Sequence, residues 1–126
     1  MAHHVGKNEF GRIVEAALAE LPPAIARHLE RVPVEVRDRP TPKELKSVGL
    51  GRRDLLLGLY VGTSLADESV HHALEMPSVI FLFQEDLELV SDSPQQLQDE
   101  IRKTVLHEVG HHFGLDENDL DELGYG

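Results

Sequence analysis

The chain has 126 residues, with 12 Lys and Arg against 23 Asp and Glu, a net charge of −11 with histidine neutral, and no cysteine. That length fits a single domain over residues 1–126 that buries a core without staples, and the missing cysteines exclude disulfides, thiolate zinc sites, iron–sulfur clusters and cysteine nucleophiles. The acidic balance argues against nucleic acid as a partner, and no apolar run reaches the roughly 18–20 residues that span a bilayer, so no membrane partner is expected either.

The N-terminal stretch MAHHVGKNEF lacks the basic-then-apolar layout of a secretory signal, and the expected compartment is the cytoplasm. His3 and His4 there are given no function. Phe10, Ile13, Val14, Ala17, Leu18 and Leu21 recur at helical spacing, which predicts a helix over 9–21 capped by Asn8. Pro22 and Pro23 interrupt it, and Ile25, Leu29 and Val32 continue a short second helix. Val32, Val34 and Val36 alternate with Glu35 and Arg37, the pattern of a half-buried strand ended by Pro40 and Pro42. Residues 43–53 read as a polar connection with a helical turn at Lys43–Lys46. Leu55–Val61 is nearly continuous in apolar residues, which predicts a central strand, and Gly58 within it points to a close backbone approach or a bulge. Residues 62–77, with His71 and His72, read as a long solvated loop, and Ser78–Phe83 as a third strand.

The last long helix opens at Ser93, with Pro94 as its first residue and Gln96 placed for a capping box. Its apolar face is Leu97, Ile101, Val105, Leu106, Val109 and Phe113, and Gly114 suits its C-terminal stop. The order of helix, helix, three strands, long helix and acidic tail describes an α+β domain with helices against one face of a small sheet.

Near the end of that helix His107-Glu108-Val109-Gly110-His111 spells HExxH. Residues four apart lie one turn above each other, so both imidazoles can face one ion. Zinc takes imidazole nitrogen at about 2.0–2.1 Å and prefers four ligands. Glu108 lies about 100° around the helix from His107, near enough to take a proton from an activated water without being a ligand. A bare HExxH arises by chance in roughly one chain in twenty of this composition, so its setting matters. The histidines border the apolar face, and the helix stops where a chain reversal would bring a third ligand from Asp116, Glu117, Asp119, Asp121 or Glu122. His112 points elsewhere on the helix, and Asp99 and Glu100 precede the site as solvated charges.

The string HEVGHHFGLDE resembles the zincin metallopeptidases, which continue HExxHxxGxx into a third ligand; Gly114 matches the glycine and Glu117 falls in the ligand register. More closely, the chain resembles the small bacterial zincin-like metallopeptidases known as minimal zincins. The likeness rests on Leu56–Tyr60 (LLGLY), on Pro77 with Ile80–Phe83, on His107–Gly114, and on Leu123–Tyr125, and spans roughly residues 8–126. It implies a zincin-like fold, zinc as cofactor and peptide-bond hydrolysis. The family carries Asp at the third-ligand position, whereas this chain has Glu117 in register and Asp116 one residue earlier; either can reach the ion. A methionine turn beneath the metal is excluded, because only Met1 and Met76 are present. Tyr125 is the natural replacement, either folded beneath the histidines or offering its hydroxyl to an oxyanion; the alternative is a tail residue that packs on the core.

Three functions are weighed. The first is a zinc metallopeptidase acting on a peptide or protein, with Glu108 as general base. The second is a catalytically inactive zincin-like module that binds a peptide or partner. The third, metal-dependent hydrolysis of RNA, is opposed by the negative charge. Substrate would lie as an added strand along a free sheet edge, offered by Ser78–Phe83 or Val34–Arg37. Oligomeric state is left open, and a homodimer is compatible with it.

Overall fold

The computed structural model describes residues 4–62 and 78–112, the last without its side chain. Among these residues eight elements follow in order: α1 (Lys7–Ala19), α2 (Pro23–His28), β1 (Val34–Arg37), α3 (Pro42–Ser47), β2 (Gly58–Val61), β3 (Val79–Phe83), α4 (Gln84–Leu89) and α5 (Pro94–His112). The α+β class expected from the element pattern is what the structure has. Both apolar stripes predicted at helical period face the core: on α1 Phe10, Val14 and Ala17 are buried and Ile13 and Leu18 partly so, and on α5 Leu97, Ile101, Val105, Leu106 and Val109 are buried. With Ile80 and Leu82 of β3 they form one core cluster, so α1 and α5 pack on a single face of the sheet.

The helix starts differ from expectation in detail. α1 begins at Lys7 after Gly6, which leaves Asn8 inside the first turn rather than at the cap. At α5 the Ser93 hydroxyl accepts the Gln96 N–H at 3.1 Å, but the Gln96 side chain reaches back to the N–H of Asp92 at 2.7 Å, one residue beyond the usual capping-box partner. α3 forms around a full capping box between Thr41 and Glu44, which extends the expected single turn.

The sheet order is β1-β3-β2. β1 runs parallel to β3, with Val34 opposite Ile80, and β2 runs antiparallel to it, with Gly58 opposite Leu82 and Tyr60 opposite Ile80. This corrects the expectation that the strand around Leu55–Val61 is central. Among the described residues β3 is the central strand and β2 an outer one. The reason is that the apolar run of 55–61 is only partly strand: Leu55 is exposed, Leu56 gives its N–H to the Asp86 carboxylate at 3.0 Å, and pairing as a strand begins at Gly58. β3, by contrast, buries Ile80 through Phe83 on both faces.

Helix α4 lies where no element was predicted. It has six residues and no helical apolar period, and it carries two buried acids. Asp86 is fully buried and accepts both the Leu56 N–H and the Arg39 Nε, at 3.0 and 3.1 Å, which ties the lead-in of β2 to the segment after β1. Glu88 accepts the Val5 N–H at 3.0 Å, the Gln84 amide at 3.0 Å and the His4 Nδ1 at 2.8 Å. His4, given no function from the sequence, thus helps dock the N-terminal segment on α4.

Burial by itself pushes the Glu88 carboxyl up, but the Val5 N–H, the Gln84 amide and the His4 ring outweigh it and hold the group below its ordinary 4.5. A folded-state value lower than the unfolded one stabilises the fold above about pH 4.5, and that contribution disappears as pH falls through the folded value. Glu88→Gln should therefore be less stable than the wild type in urea at pH 7, with the two midpoints converging as pH drops below 4.5. A gap that widens in acid would contradict this.

Candidate active site

The site is set by how α5 lies along β2. A helix rises about 6.0 Å in four residues, and an antiparallel strand about 6.8 Å in two, so the two elements can keep step. Thr104 sits over Gly58, and Glu108, four residues on, reaches Tyr60, two residues on. The contact at Gly58 leaves no room for a side chain: a β-carbon there would lie 2.5 Å from Thr104 Cγ2 and 3.1 Å from the Phe81 carbonyl oxygen. Of the two meanings of a glycine within a strand, close backbone approach is the one realised. The Thr104 hydroxyl donates to the Glu100 carbonyl at 2.7 Å, which fixes the methyl against the strand.

Glu108 Oε1 accepts the main-chain N–H of Tyr60 at 2.8 Å. That N–H is not used within the sheet. Phe83 donates to the Leu57 carbonyl, and in an antiparallel ladder the bonded pairs alternate, so the N–H groups of Gly58 and Tyr60 point away from β3. Burial pushes the Glu108 carboxyl above its ordinary value, against the opposing pull of the Tyr60 N–H and of His111 and His107. A carboxyl so placed holds a proton more readily than an exposed one, which suits a group that must accept and return it.

One helical turn apart, the rings of His107 and His111 lie parallel to within 7°, with centroids 6.4 Å apart. His107 is half-buried and His111 exposed. Side chains one helical turn apart can be turned towards one ion, and imidazole nitrogen is a donor that suits zinc. Among the described residues, no cluster of three His, Cys, Asp or Glu side chains could hold a metal. The expected third donors, Asp116 and Glu117, lie outside the described residues, as do Tyr125, the further acids Asp119, Asp121 and Glu122, and His71 and His72. So do Phe113, Gly114 and the side chain of His112. Sequence reasoning singled out His107, Glu108 and His111, and the structure brings these three together. It missed the Tyr60 N–H, since a peptide group carries no residue identity for a motif to record.

These elements define an α+β domain in which an HExxH helix lies beside an outer strand of a mixed sheet. The chain belongs to the zincin-like metallopeptidase family, whose model matches residues 29–126. No functionally curated protein matches the chain. Its fold is similar to that of a conserved hypothetical protein from Thermus thermophilus, 22% identical, over 86% of this chain and 94% of that one, with a TM-score of 0.54. Among the described residues no helix is long and apolar enough to cross a membrane.

Proposed function

We propose that the protein is a zinc-dependent metallopeptidase. The observation that carries this is the Glu108 carboxylate held against β2 beside two parallel imidazoles one helical turn apart. His107 and His111 would hold the ion, with Asp116 or Glu117 as third donor. When bound, zinc supplies a Lewis acid that polarises the scissile carbonyl and makes water acidic. Glu108 takes one proton from water as its oxygen bonds to the carbonyl carbon. It returns that proton to the amide nitrogen as the C–N bond breaks, so a carboxylic acid and an amine result, and the acid passes its remaining proton to the amine or to solvent. Tyr125 would donate its hydroxyl to the oxyanion.

The substrate is an extended peptide or an unfolded protein segment, not nucleic acid. The edge that receives it differs from those first considered. β3 is flanked on both sides and has no free edge, and β1 lies beyond β3 from the helix that carries Glu108. Among the described residues β2 is the outer strand that borders the site, and backbone pairing along its outer side would place a peptide next to the carboxylate.

Metal content tests the reading directly. Protein purified without chelator should contain stoichiometric zinc by mass spectrometry, and His111→Ala should lose it. Zinc retained in the variant, or absent from the wild type, would refute the assignment.

A further inference from the structure

We propose that the main-chain N–H of Tyr60 is the positioning group of Glu108: it fixes Oε1, leaves Oε2 to exchange the proton, and is thereby withheld from substrate recognition. The inference rests on the metallopeptidase reading and adds how its base is held and which strand donor the substrate forgoes.

Three observations meet here. The hydrogen bond is short, at 2.8 Å, and joins residues 48 apart in sequence, so it belongs to the packing of α5 on β2 and to neither element alone. The N–H lies on the outer side of β2, the side a peptide would use, because Leu57, Leu59 and Val61 take the ladder positions towards β3. Glu108 has a flexible side chain, and it is the bond from a peptide group embedded in a strand that restrains its carboxylate. A peptide laid along β2 therefore meets an edge whose donor at position 60 is already engaged. Its pairing must rely on the remaining outward groups of the strand.

Proline at position 60 tests this, since it deletes the N–H, fits an outer strand and costs no ladder bond to β3. Tyr60→Ala is the control, because it removes the same core-packed side chain and keeps the N–H. Against Tyr60→Ala, Tyr60→Pro should lower kcat by about 100-fold, the scale of a base displaced by an ångström, with KM within about twofold. Equal kcat in the two variants would overturn the proposal, and so would a loss expressed in KM, which would make the N–H a substrate contact.

A second measurement needs neither proline nor turnover. In amide proton spectra of the free protein, Tyr60 should resonate downfield, and Glu108→Ala should shift it upfield more than Leu59 or Val61. A Tyr60 signal that moves no further than theirs would overturn the proposal. Because this reads the contact itself, it separates failure of the positioning role from failure of the peptidase reading, which would show as no cleavage by the wild type.

Discussion

Glu108→Gln is expected to reduce peptide cleavage by about 10²–10⁴-fold while leaving the zinc content unchanged. Glutamine has nearly the shape of glutamate, and its carbonyl can still accept the Tyr60 N–H that holds Oε1 at 2.8 Å. The helix should thus keep its place on β2, and the His107 and His111 rings their parallel arrangement. What the variant lacks is a basic oxygen to take the proton of the attacking water. Cleavage of an unstructured peptide and metal analysis on the same preparation check both halves. Full activity in the variant would remove Glu108 from the mechanism, and lost zinc would show that its role is structural.

The second large effect is expected at Gly58, which takes no part in the proposed proton transfer. A methyl group there collides with Thr104 Cγ2 and crowds the Phe81 carbonyl. Thr104 cannot turn aside without giving up its bond to the Glu100 carbonyl. Gly58→Ala should therefore push α5 off β2, destabilise the fold by about 1–3 kcal/mol, and draw Glu108 away from Tyr60 with a loss of activity. Thr104→Ser keeps the hydroxyl and removes the offending methyl. Combined with Gly58→Ala it should recover part of the stability, but not all, since the Phe81 oxygen remains in the way. Thermal melts of the two single variants and the pair measure the coupling. A Gly58→Ala protein as stable as the wild type would mean that the helix and strand are not in the close contact described.

Much of this site is legible in the residue order because its chemistry is local. The spacing of His107 and His111 sets their rings on one helical face whatever surrounds the helix, and Ser93, Pro94 and Gln96 mark where that helix begins. The apolar period of α1 and α5 likewise announces which faces are buried, and every described residue of the predicted α5 stripe is buried. Gly58 is a partial case. A glycine amid Leu and Val signals a close approach, but not by which element.

Other features are set by partners distant in the chain. The runs Leu55–Val61 and Ser78–Phe83 have similar apolar content, and nothing within either says which will be flanked on both sides; pairing with β1 places the second one at the centre. Asp86 and Glu88 are buried because the Leu56 and Val5 N–H groups and the Arg39 and His4 side chains are brought to them from distant segments. The Tyr60 N–H is the clearest instance. Every residue but proline has such a donor, so its role comes entirely from the matched rise of a helix and a strand that places Glu108 against it. Helical periodicity and capping act within a turn or two and can be read from neighbouring residues. Strand order, burial of charge and the engagement of a main-chain donor depend on which distant segments pack together, and only the folded chain supplies that.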